Sequence, residues 1–298
     1  MVAQTELAQD ERQKEHPGQQ PPPGRQQDQR HDPAEQEAEE RSSPSGKVVY
    51  KAILKEAEDE LERPSSALFW SGLAAGLSMG FSLVAEGLLR ARLPDAPWRP
   101  LVAKFGYSVG FLLVILGRQQ LFTENTLTPV LPLLQRKDGK TLLNMLRLWG
   151  VVLAANLLGA LLFALVAART SAFDPEVKEA FFAIGREAAN HPFGTLLLRG
   201  VFAGWLIAMI VWLLPFAEAA RFFVIIAITY VVGVANLSHV VAGSVEVFTV
   251  AWAGQLGWAT AVIHYVLPTL VGNILGGVTL VAAINHAQVV AGGQGQDV

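Results

Sequence analysis

The sequence predicts an all-α integral membrane protein: six transmembrane helices in two inverted three-helix repeats, with the second and fifth helices broken. Three observations lead there. Six apolar segments of membrane length follow one another along the chain. The middle segment of each set of three carries polar interruptions. A short motif, Ala155-Asn156-Leu157-Leu158-Gly159-Ala160, recurs late as Gly272-Asn273-Ile274-Leu275-Gly276-Gly277, and Gly72-x-x-x-Gly76 is echoed by Gly200-x-x-x-Gly204. Weak internal symmetry in an apolar chain is a signature of repeat-built membrane proteins with a path between the halves.

The elements follow in order. Residues 1–46 are rich in Gln, Pro, Glu and Arg and have too little apolar surface to offset the entropy of ordering, so they read as a disordered polar tail. The tail lacks the apolar core of a signal peptide. Over 47–64, Val49, Ile53, Ala57 and Leu61 recur every four residues with charges on other faces. This predicts an amphipathic helix ending at Pro64, packed on the protein's own membrane-facing end. The pore domain spans 65–290, with apolar segments at about 66–89, 101–134, 141–168, 194–217, 222–250 and 259–290. A bilayer core needs roughly 20 apolar residues per helix. The second and fifth segments are longer and interrupted, by Leu121-Phe122-Thr123-Glu124-Asn125-Thr126 before Pro129 and by Asn236-Leu237-Ser238-His239 before Gly243-Ser244. Residues 291–298 read as a short flexible tail.

Three spans per half is an odd number, so the halves insert with opposite orientation. Six spans put both termini on one side. Lys47, Lys51, Lys55 and Arg63, with Arg136, Lys137 and Lys140, mark that side as cytoplasmic, although Arg90, Arg92 and Arg99 fall on the opposite face. The chain has no cysteine, which excludes disulfides and thiolate metal sites, and its net charge of −3 argues against a nucleic-acid partner. No nucleophile–base pair or metal-ligand cluster suggests an enzyme, and no cofactor is implied.

Candidate functional residues sit at the interruptions. Irregular backbone at membrane depth persists only where it is buried in protein or lines a cavity. Asn156 and Asn273 lie in apolar segments, where an amide must find partners. Unwound backbone supplies them, so each Asn is expected to tie down a break, with direct substrate contact as the alternative. Asn236, Ser238 and Gly243 are expected to shape the second break. His239 is an intramembrane ionisable residue at that break, and Thr123 stands at the other. Histidine titrates near neutrality, at roughly pH 6.5 when unperturbed, so His239 could hold or hand over a proton. Otherwise it is a neutral ring satisfied by the backbone. Arg118, Glu124 and Glu246 add charges beside the breaks. They either neutralise one another, or Arg118 attracts anions.

Leu121-Phe122-Thr123, Asn156-Leu157-x-Gly159-Ala160-Leu161-Leu162-Phe163, His239-x-x-Ala242 and Pro268-x-x-x-Gly272-Asn273-Ile274-x-Gly276-Gly277 together resemble the formate/nitrite transporter family, in order and approximate spacing over residues 47–290. The polar N-terminal extension is similar to its YfdC-type branch. The resemblance implies an aquaporin-like six-helix fold, a homopentamer with one pore per subunit, a bacterial inner membrane location and passage of small monovalent anions. It implies that His239 is the central histidine and Thr123 its partner in the first break. Tyr107 and Phe111 fall on the apolar constriction, and a constriction phenylalanine falls on the smaller Val232. The family's glutamate before the histidine is Ser238 here, its asparagine after the histidine is Gly243, and its vestibule lysine falls near Ala188, with Arg186 two residues away. A further family asparagine falls on Gly204.

Two other functions compete. A neutral-solute channel of aquaporin type would carry Asn-Pro-Ala at both breaks, and neither break has it. A non-conducting scaffold would work through the polar tail.

Overall fold

The computed structural model describes residues 45–217 and 219–293, and all regular structure among them is helical. The polar tail up to residue 44 and the chain end from 294 lie outside the described residues. The helices that frame the molecule are α1 (Gly46–Glu62), α2 (Ser65–Arg92), α3 (Arg99–Leu116, with one 3₁₀ turn at Lys104–Tyr107), α4 (Val130–Arg136), α5 (Gly139–Arg169), α6 (Pro175–Ala189), α7 (Phe193–Phe216), α8 (Arg221–Val234), α9 (Val240–Trp252) and α10 (Thr260–Ala291). Five of them, α2, α3, α5, α7 and α10, are long and apolar enough to cross a membrane. The fifth expected segment is not one helix but two shorter apolar ones, α8 and α9, with the chain unwound between them.

Helix α1 buries Val49, Ile53, Ala57 and Leu61, the stripe its four-residue period draws, and adds Tyr50. Val49, Tyr50, Ile53 and Leu61 pack in one cluster with Leu131, Met145, Ala208 and Val281. The joint to α2 is pinned from outside: Arg147 on α5 donates to the carbonyls of Leu61 (2.8 Å) and Arg63 (3.0 Å) and to the Ser65 hydroxyl (3.1 Å). Asp138 caps α5, accepting from the Thr141 N–H at 2.9 Å and its hydroxyl at 2.7 Å. Those bonds hold its carboxyl below the usual aspartate value.

Helix α6 fills what reads as a loop in the sequence. Asp174-Pro175 opens it and Val177, Phe181 and Ile184 form its buried stripe, a start signal and a period that mark a helix. Helix α10 is not regular: Thr260–Val266 and Gly276–Ala283 are π-helical. Pro268 lacks the N–H that the carbonyl of residue 264 would receive, so the hydrogen-bond ladder slips where that carbonyl is orphaned.

Two helix pairs make the closest contacts, α2 with α5 and α7 with α10. Both use missing side chains. A Cβ on Gly76 of α2 would overlap the Asn156 backbone carbonyl on α5, and a Cβ on Gly204 of α7 would overlap that of Asn273 on α10. Small residues at i, i+4 let apolar helices approach to backbone contact where lipid gives no hydrophobic drive between them. The outer surface carries many exposed large apolar side chains, among them Trp70, Leu143, Leu198 and Phe223.

Gly76→Val and Gly204→Val should each destabilise the fold by about 1–3 kcal/mol or more, because the neighbour is backbone and cannot yield. Gly150, where an added Cβ meets nothing, supplies the control: Gly150→Ala should be neutral or stabilising by up to about 1 kcal/mol. Heat-induced loss of the monodisperse species in mild detergent measures the difference.

Candidate functional site

The two breaks are closed by two amides in the same way. After α3 the chain turns through Gly117 and Arg118, the latter with φ 50°, and is not α-helical again until Val130, apart from a 3₁₀ turn at Glu124–Thr126. After α8 it turns at Asn236, with φ 48°, and runs to His239 before α9 begins. Each break orphans backbone groups that must be satisfied inside the protein. Asn156, fully buried, accepts from the Phe122 N–H at 2.9 Å and donates to the carbonyls of Gln120 at 2.9 Å and Gly72 at 2.7 Å. Asn273, also fully buried, accepts from the Val240 N–H and donates to the carbonyls of Ser238 and Gly200, all at 2.9 Å. Each amide thus stitches one break to the neighbouring long helix.

The first break is braced further. Gln120 N–H donates to the Ser71 hydroxyl at 3.1 Å, Asn125 Nδ2 to Gln120 Oε1 at 2.9 Å, and Trp149 Nε1 to the Asn125 carbonyl at 2.8 Å. Thr126 donates to the Thr123 carbonyl at 2.7 Å and nests on Gly277 of α10, where a Cβ would strike its hydroxyl.

So held, the breaks meet. His239 Nε2 lies 2.7 Å from Thr123 Oγ1, both buried. His239 is also the N-cap of α9, its Nδ1 accepting from the Ala242 N–H at 3.1 Å. Nδ1 therefore presents its lone pair, the ring proton lies on Nε2, and Nε2–H donates to Thr123. The Thr123 hydroxyl keeps its own hydrogen to donate onward.

Apolar groups close over this pair. The Phe111 ring meets His239 edge to face, with centroids 5.0 Å apart, and Tyr107 lies 5.3 Å from Phe111. Val232, Leu121 and Phe122 are buried beside them. The Tyr107 ring lies over Gly233, within 3.3 Å of where a Cβ would stand. Ser82 sets Tyr107 by donating to its carbonyl at 2.5 Å.

Next to the closure, and sharing Tyr107 and Val232 with it, lies a cavity of about 290 Å³, lined also by Ser238, Lys104, Arg199, Glu246, Glu187, His191 and Tyr265. His239 and Thr123 are outside its lining. Beside it, Glu86, Arg90, Arg99, Lys104, Glu187 and Asn236 help line a second space of about 280 Å³. Lys104 Nζ is 2.6 Å from the buried Glu86. Arg90 grips Glu187 through both nitrogens, at 2.9 and 2.5 Å, holding that carboxyl below the usual glutamate range. This ion pair is complete at neutral pH and is lost only as pH falls below that range. Burial, with the Arg199 cation, pushes the His191 imidazole below its ordinary value, so it is neutral at pH 7.

Arg118 stands apart: exposed, at the turn that ends α3, and in the lining of neither cavity. Among the described residues it pairs with neither Glu124 nor Glu246. Arg186 bonds Gln255 on the surface, while Ala188 does line the cavity. The cations that face the cavity, Lys104 and Arg199, went unnoticed in the sequence. Both are charges within apolar segments, the criterion that singled out Arg118. Gly243 leaves room for the Tyr265 hydroxyl, which occupies the place of a Cβ there.

The chain matches the family described as formate/nitrite transporter over residues 47–287. It is 40% identical over 251 residues to the inner membrane protein YfdC of Escherichia coli (strain K12), covering 84% of this chain and 81% of that one. The formate channel FocA of Haemophilus influenzae is 27% identical over 151 residues, 49% of this chain and 52% of that protein. Among solved structures, an FNT family ion channel aligns with a TM-score of 0.70 at 19% identity, covering 81% of this chain and 98% of that chain. A pentameric formate channel with formate bound aligns at 0.63 and 20% identity, covering 83% and 100%. At these identities the two structures speak for the fold.

Asn156→Leu and Asn273→Leu should each strand one carbonyl and one N–H of a break, at about 1–3 kcal/mol per buried group, and remove a second bond to a helix carbonyl that keeps its own helical partner. Either variant should lose the monodisperse species at a markedly lower temperature than the parent protein, in the same heating assay.

Proposed function

The chain belongs to the formate/nitrite transporter family, and from that membership we propose that it is a channel or transporter passing small monovalent anions of the formate and nitrite kind across a bacterial inner membrane. The observation that carries this reading is the meeting of two unwound segments, at Thr123 and His239, beneath a charged cavity and behind an apolar closure. It is a conduit's arrangement rather than an enzyme's.

In this reading α8 and α9 together make one span, as do α3, its following break and α4, giving six. The matching Asn156 and Asn273 networks, and the matching Gly76 and Gly204 contacts, support two related halves of three spans. Such halves lie inverted, and both termini are cytoplasmic, so the cavity faces outward. The exposed apolar flanks suit lipid and a pentameric ring in which each subunit keeps its pore.

An anion entering the cavity meets Lys104 and Arg199. It then faces Tyr107, Phe111 and Val232, where a bare charge is costly. Beyond them the Thr123 hydroxyl, oriented by Nε2–H of His239, offers a donor. The ring has a single proton while it caps α9. Giving that proton away would leave an imidazolate, so His239 acts as a hydrogen-bond donor unless it surrenders the cap. Arg118 has no part in this path.

Proteoliposomes should show flux of formate, nitrite or a similar weak-acid anion above that of empty vesicles. No flux of any such anion would overturn the reading. Asn is itself a strong N-cap and donor, so His239→Asn should preserve assembly and the pH dependence of flux, while His239→Leu should abolish flux. If His239→Asn instead removes the pH dependence, the ring does leave its cap to relay protons. Arg199→Gln should weaken apparent affinity about tenfold at low ionic strength and less at high salt. Lys104 is a poorer probe, since its loss strands the buried Glu86.

A further inference from the structure

We infer that Glu246 is the proton-exchange group of this pathway: a carboxyl on the cavity wall that hands a proton to the entering weak-acid anion before it crosses the apolar closure. The inference rests on the channel reading and deepens it. Its starting point is chemical: the anion needs a proton to pass Tyr107, Phe111 and Val232 cheaply, and His239, committed through Nδ1 to the cap of α9, has none to spare.

Three observations converge on Glu246. First, its place: it lies on α9 two helical turns beyond His239, almost wholly buried at 8% exposure, yet in the lining of the cavity. Second, it is uncommitted. The other carboxylates around the two spaces are taken, Glu86 by Lys104 and Glu187 by Arg90. Among the described residues no ion pair or side-chain hydrogen bond engages Glu246. Its oxygens are not among the sealed, unpartnered polar atoms of the described residues, so they reach the cavity. Third, the wall around it is shaped to hold it. Gly185 of α6 brings that helix onto the Glu246 backbone, so close that a Cβ would strike its carbonyl. Gly243, one turn back on the same face, admits the Tyr265 hydroxyl, which lies with Ser238 in the same cavity lining. The Tyr265 and Ser238 hydroxyls thus share this lining with Glu246.

The groups facing this wall are Lys104 and Tyr107 from α3, Glu86 from α2, Glu187 from α6, Arg199 from α7, His191 just before it, and Tyr265 from α10. On the α5 side Arg169 is spent on the Trp252 carbonyl at 2.5 Å. Lys104 and Arg199 bring the anion in. The Glu246 O–H bond then breaks as the anion's O–H forms. The neutral acid moves on and leaves a carboxylate, which is reprotonated through the cavity by hydronium or buffer acid from the outer solution, so that one proton enters with each anion.

The experiment uses the full chain in proteoliposomes, measuring the initial rate of formate entry and of accompanying protons against external pH. Glu246→Gln should assemble as the parent does. It should lose at least about tenfold in coupled entry near neutral pH, short of the roughly 10²–10⁴-fold that a positioned acid or base gives in catalysis. It should also lose a titration step from the pH profile. Glu246→Asp should keep that step with a displaced midpoint, and His191→Gln should keep it in place. A parental profile in Glu246→Gln overturns the inference and leaves the channel reading standing. Absence of flux in the parent protein overturns both. If Glu246→Gln fails to assemble, Glu246→Asp decides: a displaced midpoint supports the inference, and an unchanged profile overturns it.

Discussion

Two buried amides hold this structure together at its weakest points. A chain that unwinds inside a membrane exposes donors and acceptors that neither lipid nor a regular helix can satisfy. Asn156 and Asn273 each supply an acceptor and two donors in one rigid plane, and each spends all three on backbone. No other short side chain carries that set. The amide can reach only because the long helices touch backbone to backbone at Gly76 and Gly204. Glycine spacing, amide position and break therefore form a single constraint, met twice.

The position of the central pair follows from it. With both breaks anchored, Thr123 and His239 come within 2.7 Å, and the start of α9 falls where His239 caps it. That cap fixes the tautomer. A residue type chosen for titration thereby becomes, in this setting, an oriented donor. We place proton supply instead at Glu246, which lines the cavity and has no side-chain partner among the described residues.

The polar groups of the cavity come from several helices. Ser238, Gly243 and Ala188 stand where the resemblance expects a carboxylate, an amide and a cation. The structure holds a carboxylate at Glu246, a hydroxyl at Tyr265 and cations at Lys104 and Arg199 around the same cavity. The closure is likewise shared between helices, with the Tyr107 ring of α3 lying over Gly233 of α8. Function at such a site is set by which groups face a shared space, and that space can be furnished from different helices.

Much was legible in the sequence because it depends on local rules. The lipid-length apolar segments, the period of α1 and the polar interruptions are all patterns along one strand of chain. The partners of Asn156 and Asn273 were foreseeable in kind, since an amide in an apolar segment has few options. Other features were decided only by the fold. Arg118 and Lys104 are both cations in the same apolar segment. One ends on the outer surface at a left-handed turn, while the other points into a cavity against Glu86. Sequence distance from a break does not say which side of a helix faces the path once a 3₁₀ turn at Lys104–Tyr107 has altered the phase. Likewise the role of His239 turned on the Ala242 N–H, a partner that exists only because the chain re-enters a helix at Val240. The sequence by itself determined that this chain lives in a membrane and breaks twice within it. Which charges face the opening, and which proton the central ring can give, were settled by tertiary contacts, because both depend on groups that meet only when distant helices pack.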